Sequence, residues 1–372
     1  MKTIRMGLIG YGNVGRAFAR MLKRREDYIR GTFDAEVVIT AISRSTGSCV
    51  ASGGTGIDKG AGSGKGAGSC EGAGSGSVAG IDIDKLRDSD FDPSIKPLDV
   101  INGSYCDVIA ELTPLNIRTG EPAITHIRTA LENGIHVITA NKGPIAWAYR
   151  PLRDLARERG VMFLHEATVM DGIPVYNLVR ENMMGCKITE VSGILNSTTN
   201  YILTEVAKGV PFDDAVREGQ RRGFVEADPS MDLEGYDAAA KLTSLMNVLM
   251  DVFITPDDIN RTGIGGITKE DIERAAADGM KYKLICRGRM EGGRPVGTVK
   301  PELVPKDSLY GTVDGIGSCV TVTTDLMGAV TVVQHVFEPE IDQTAYGVLS
   351  DLLRILKDTS QVFAIDPGSA RA

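Results

Sequence analysis

Near its start the chain runs from a short apolar strand, Ile4 to Ile9, into Gly10-Tyr11-Gly12-Asn13-Val14-Gly15. A helical stretch, Arg16 to Arg25, follows at once. A G-x-G-x-x-G turn between a strand and a helix has few structural solutions. The first two glycines allow a tight turn and close approach of a pyrophosphate, and the third lets the helix pack closely. The helix N-terminus then attracts the anion. The motif predicts a doubly wound, mostly parallel sheet with a dinucleotide at Gly10, Gly12, Asn13, Val14 and Gly15. It is a weak signal alone; its position after a strand strengthens it.

The next strand is predicted over 36–42. A site selective for NAD places an acid near this strand's end, to hold the ribose 2′-hydroxyl. Here the chain reads Ser43-Arg44-Ser45-Thr46. An arginine among hydroxyls suits a 2′-phosphate, so NADP is favoured with NAD possible; an exposed loop arginine is the plainer alternative. Residues 46–77 are largely Gly, Ser and Ala, and are expected to form a flexible spacer with little packing. The string Gly62-Ser63-Gly64-Lys65 lacks the full phosphate-loop pattern, although Lys59 or Lys65 could reach a 2′-phosphate. Helical composition is read over 81–90.

Strands at 106–112 and 135–139 end in Thr113-Pro114 and in Ala140-Asn141-Lys142. These ends fall where a doubly wound sheet offers its loops to a ligand. Thr113 is thus a cofactor contact, and Lys142 either a functional lysine or a surface one. Farther on, Leu195-Asn196-Ser197-Thr198-Thr199-Asn200 opens a helix. Its hydroxyls and N–H groups suit a carboxylate, or simply cap the helix. The stretch 223–250 carries Glu226, Asp232, Asp237 and Lys241. Asp237 and Lys241 lie four apart on a predicted helix and share a face. Acids that hold an ammonium beside a lysine that acts on an oxygen would suit a zwitterionic substrate. A solvated ion pair explains the same spacing.

Composition narrows the classes. Net charge of −8 argues against a general nucleic-acid surface, and no apolar run reaches the length of a membrane span. The six cysteines form no C-x-x-C pair and the four histidines are scattered, so reduced thiols, a cytoplasmic location and no zinc site are expected. Alternating β and α segments followed by mixed ones predict an α/β chain. A Rossmann dinucleotide-binding domain is read at 1–165 and a second, α+β domain at 166–335.

Together these segments closely resemble homoserine dehydrogenases. The resemblance rests on 7–15, 111–123, 136–144, 166–174, 193–203, 226–242 and 344–352, and the 226–242 signature is the most specific. It implies NAD(P)-dependent interconversion of L-aspartate 4-semialdehyde and L-homoserine, in the branch leading to threonine, methionine and isoleucine. It also implies a homodimer and a last helix, within 336–372, that returns to the cofactor domain. By the resemblance Lys241 matches the catalytic lysine, Asp237 the acid beside it and Lys142 the second lysine. Glu226 and Asp232 match substrate-holding acids, and Ser197 and Thr198 positions beside the substrate. Glu166, Val169, Asp171 and Ile173 match positions whose carbonyls hold a monovalent cation, usually sodium. The chain departs from the family in its long 46–77 run, in Asp171 where many relatives have a small neutral residue, and at 337–341, which replaces a glycine-rich turn. With no room for a regulatory domain after 372, threonine feedback is not expected. In the mechanism so implied, Lys241 protonates the alkoxide formed by hydride transfer, and a second cation and burial lower its pKa. The rivals are another two-domain Rossmann oxidoreductase of a small amino aldehyde and a catalytically silent NADP-binding protein.

Overall fold

The computed structural model describes residues 1–51, 69–70, 72–73, 78–335 and 341–362. The first sheet is built on β1 (Lys2–Ile9), β2 (Ala35–Arg44), β3 (Gly47–Ala51), β4 (Val108–Glu111), β5 (His136–Thr139) and β6 (Phe163–Leu164). Their spatial order is β3-β2-β1-β4-β5-β6, with Ser69–Cys70 beyond β3. Strands β2, β1, β4, β5 and β6 are mutually parallel. Strand order reverses between β1 and β4, which in a doubly wound sheet opens a ligand crevice at the strand ends.

Both faces of this sheet are covered, which explains why its strands are continuous apolar runs rather than alternating ones. Helix α1 (Asn13–Arg24) lies on one face and α2 (Lys142–Arg159) on the other, beside 123–132. The last described helix, over 341–362, joins the α1 face. Ala345, Val348, Leu349, Leu352, Ile355 and Leu356 enter the same core as Leu8, Phe18 and Ile42.

The second sheet has the order β8-β10-β9-β7-β11-β12. Its strands are β7 (Ile188–Ile194), β8 (Ile259–Arg261), β9 (Met280–Glu291), β10 (Arg294–Pro305), β11 (Ser318–Thr324) and β12 (Gly328–Gln334). One face carries α3 (Ser197–Ala207) and α4 (Tyr236–Leu249). From α4, Leu242, Leu245 and Met246 pack with Val191, Leu284, Cys286 and Val299. Helix α4 also packs against α2, and Asn247 Nδ2 donates to the Ile145 carbonyl at 3.3 Å. The two helices that carry the predicted lysines therefore touch. Helix α5 (Ile341–Val362) closes the described chain.

Three expectations are corrected. The Gly/Ser-rich run does not begin as a spacer: Gly47–Ala51 pairs antiparallel with β2, and Ser43 and Ser48 share a buried hydroxyl contact of 2.8 Å. Two-residue pairings also occur at Ser69–Cys70 and Gly72–Ala73; residues 52–68, with Lys59 and Lys65, lie outside the described residues. Second, 81–90 is no α-helix. It is turns and one 3₁₀ turn, Asp88–Asp90, because Asp82 and Asp90 bond nearby backbone N–H groups and compete with the helix. Third, not every thiol is free: Cys49, buried in β3, is disulfide-bonded, whereas Cys106, Cys186, Cys286 and Cys319 are free. Residues 336–340, most of the stretch that replaces the glycine-rich turn, lie outside the described residues, as do 363–372.

Candidate active site

The glycine turn follows from steric demands that no other residue meets. Gly10 has φ of +106°, and a Cβ there would lie 2.5 Å from the Leu112 backbone. A Cβ on Gly15 would lie 2.5 Å from the Gly10 carbonyl oxygen, so α1 sits close against the turn. At Gly12, by contrast, a Cβ would meet nothing within 4 Å. Gly12 is also the N-cap of α1 and supplies no side-chain acceptor, which leaves the first-turn N–H groups of Asn13 and Val14 for an anion.

A chain of short contacts joins this cradle to Lys142. Gly10 abuts Leu112 and Thr113, and the Thr113 hydroxyl bonds the buried carboxylate of Glu111. The Thr113 carbonyl accepts from Asn141 Nδ2 at 3.1 Å. Asn141 in turn caps α2, its Oδ1 accepting from Gly143 N at 3.0 Å, so that Lys142 is the first helical residue.

From the other side α4 presents Asp237 and Lys241. The Asp237 carboxylate bridges two ammonium groups, with Oδ1 3.1 Å from Lys142 Nζ and Oδ2 3.1 Å from Lys241 Nζ. Asn196 Nδ2 donates to Asp237 Oδ2 at 2.9 Å and to Asp232 Oδ1 at 2.6 Å. Lys241 also donates to the Leu195 carbonyl at 3.0 Å. The side chains of Lys142, Lys241 and Asp237 keep 18%, 19% and 14% exposure, so the cluster is sheltered yet reachable.

Burial alone would favour a neutral Asp237. The adjacent Lys142 and Lys241 charges and the Asn196 hydrogen bond outweigh it and hold the carboxyl far below its ordinary value. Lys241 corrects an expectation. Burial does press its pKa down, but Asp237, Asp171 and Asp232 together raise it above the ordinary lysine value. The acids around it outweigh the second cation. Asp232 is raised, first by burial and then by repulsion from Asp237.

The remaining predicted residues divide. Ser197 and buried Thr198 form the first turn of α3, which Asn196 caps through Thr199 N at 2.8 Å. Glu226 is exposed on the loop after 212–222, away from the lysine cluster among the described contacts, and its carbonyl accepts from Gln220 Nε2 at 3.1 Å. Arg44 is already paired, with Nη1 2.6 Å from Asp88 Oδ1. Glu166 is buried, and its carboxylate accepts from Tyr176 N and Asn177 N, both at 2.8 Å. Asp171 has φ of +51°, a conformation that Asp tolerates better than most residues. Its carboxylate accepts from Gln334 Nε2 at 2.7 Å and Thr344 Oγ1 at 2.8 Å. Val169 is buried beside it, and the Ile173 carbonyl accepts from Val175 N at 2.9 Å. Sequence reasoning did not single out Asn196 or Glu111. The signal for Asn196 was its place at a helix start; for Glu111 it was a carboxylate inside an apolar strand.

A parallel sheet with a glycine cradle at its switch point, beside a sheltered lysine pair, belongs to the oxidoreductases that combine a Rossmann-type domain with a second domain. The family model for homoserine dehydrogenase matches residues 174–353. A homoserine dehydrogenase of Methanocaldococcus jannaschii is 36% identical over 95% of this chain and 99% of its own. An NAD(+)-dependent homoserine dehydrogenase of Pseudomonas canavaninivorans is 34% identical over 95% of this chain and 97% of its own. The crystal structure of a homoserine dehydrogenase from Thiobacillus denitrificans superposes with a TM-score of 0.77 at 28% identity, covering 100% of this chain and 76% of that one. The chain belongs to the homoserine dehydrogenase family, as its motifs indicated. It interconverts L-aspartate 4-semialdehyde and L-homoserine with a nicotinamide cofactor.

Proposed function

We propose that Lys241 is the group that protonates the developing alkoxide in aldehyde reduction and takes the proton back in alcohol oxidation. Asp237 orients it, and Lys142 adds positive charge. The observation that carries this reading is the single carboxylate bridging both ammonium groups next to the cofactor cradle. The raised Lys241 pKa fixes a sign: the proton is present for reduction at neutral pH, and oxidation gains as pH rises toward the lysine range. Initial rates in both directions across pH test this; an oxidation rate that falls as pH rises from neutral would exclude it.

Asp232, with Glu226, holds the substrate ammonium. Asp232 is repelled by Asp237 and receives only neutral donors, and an added cation relieves that repulsion. Ser197 and Thr198 lie beside the substrate. The bound nicotinamide cofactor supplies or accepts the hydride. Its pyrophosphate lies on Gly10, Gly12, Asn13, Val14 and Gly15, with Thr113 and Lys142 also in contact. NADP is the preferred form, its 2′-phosphate at Arg44; kinetics with NADPH and NADH on wild type and Arg44→Ala decide between the two forms.

A monovalent cation such as sodium is held by the carbonyls of Glu166, Val169, Asp171 and Ile173. The Ile173 oxygen, although it accepts from Val175 N, keeps a second lone pair for it. Thermal stability in sodium against choline chloride reads this out. The cofactor domain spans 1–165, the substrate domain 166–335, and the closing segment 336–372. The chain acts as a cytoplasmic homodimer. Supporting the dimer, β12 is an edge strand with half-buried valines 330, 332 and 333, and Leu326 and Met327 are exposed in the turn before it. Light scattering measures the mass. No helix among the described residues is long and apolar enough to cross a membrane.

A further inference from the structure

The geometry points to Asp88 as a cofactor-selecting residue: its carboxylate occupies the anion-binding face of Arg44 and competes with the 2′-phosphate of NADP. The inference rests on the reading of Arg44 as the 2′-phosphate ligand. Arg44 ends β2, where a dinucleotide's adenosine ribose lies in this fold. No acid stands beside it in sequence; the acid comes instead from a 3₁₀ turn more than forty residues later.

Arg44 is held from three directions. Nη1 meets Asp88 Oδ1 at 2.6 Å, and Nη2 donates to the Asp88 backbone carbonyl at 3.2 Å. The guanidinium lies over the Phe91 ring at 3.6 Å, while Nε is buried with no hydrogen-bond partner among the described residues. Two of these supports, the ring and the carbonyl, survive removal of the carboxylate. The arginine would therefore stay in place with a free face. The Asp88 side chain is 92% exposed and can swing into water when a phosphate arrives. A carboxylate so exposed is a weak competitor, because surface ion pairs contribute little. A second cation is near: Arg16, in the first turns of α1, also acts on Asp88 electrostatically and lies 5.0 Å from the Tyr11 ring. The pairing thus lets one arginine serve both cofactors. With NADP bound it meets the phosphate. With NAD bound its charge stays neutralised by Asp88.

Steady-state kinetics with NADPH and NADH test this on wild type, Asp88→Ala, Arg44→Ala and the double variant. The expected result is a roughly two- to fivefold lower KM for NADPH in Asp88→Ala, with little change in kcat. KM for NADH should move far less, and the NADPH effect should vanish in the Arg44→Ala background. Activity with NADH reports that each variant is folded. If Arg44→Ala leaves the KM for NADPH unchanged, the 2′-phosphate reading itself falls. If Arg44→Ala raises that KM while Asp88→Ala leaves it unchanged or raises it, competition by Asp88 is overturned and the Arg44 reading stands. A benefit of Asp88→Ala that persists without Arg44 also overturns it.

Discussion

Two aspartates shielded from bulk water in this molecule, one partly and one fully, face opposite fates. Asp237, on α4, lies between two ammonium groups at 3.1 Å and is held ionised far below the usual range. Asp351, on α5, is 1% exposed and accepts one backbone hydrogen bond, from Glu166 N at 2.9 Å. Burial, with repulsion from Glu166, pushes it up to about 8. Asp237 lies where α4 meets α2, and Asp351 where α5 meets the 166–168 turn. The difference lies in the partners. Where lysines from two helices converge, a carboxylate becomes a permanent anion that keeps its neighbours charged. Where the close partners are a backbone amide and another acid, the same side chain holds its proton well above the usual carboxylate range.

The largest break in this comparison comes from Lys241→Ala. It should lower kcat by about 10²- to 10⁴-fold while cofactor binding, measured by fluorescence titration, persists. Asp237→Asn comes next. It leaves two adjacent ammonium groups without their shared anion, and stability should drop by about 3 kcal/mol in denaturant melts. Lys241 loses its main carboxylate, so the pH dependence of oxidation should move to lower pH.

Asp351→Asn sharpens the contrast from the other side. A folded-state pKa raised to about 8 means that Asp351's contribution is fully present below the ordinary 3.8 and is lost as pH rises to 8. The amide keeps an acceptor for Glu166 N and does not ionise. The variant should therefore match or exceed wild-type stability at pH 8, by roughly 1–3 kcal/mol, with a flatter profile between pH 4 and 8. Asp237 has the reverse sign: its stabilisation is present above 3.8 and lost as pH falls below it. The smallest effect belongs to Asp171→Gly. Relief of a left-handed backbone offsets part of the two lost hydrogen bonds, for a net loss of about 1 kcal/mol.

Much of this is legible in the sequence. The turn at Gly10 to Gly15, Lys142 after a strand and the Asp237–Lys241 pair are short-range patterns, set by backbone sterics and helical period. The contacts that make the centre work are long-range. Nothing local tells that Asn196 reaches Asp232 and Asp237, or that Lys142 and Lys241 share one acid. The Gly/Ser composition after Thr46 hid β3, since a strand with small residues can still pair through its backbone. Arg44 looked free because its partner lies far along the chain. The Lys241 shift was misjudged because Asp171, seventy positions earlier, adds to the acids around it.

The packing of α5 against α1 has a consequence for how the molecule is made. Strands β1 and β2, translated well before the second sheet, find their full apolar covering only when residues 345–356 have been translated. The nucleotide-binding half must wait, partly uncovered, while the whole second sheet is synthesised and can already be folding. Growth of the polypeptide and completion of its first core therefore run in opposite order, and a ribosome stalled before residue 345 would expose that apolar face to chaperones.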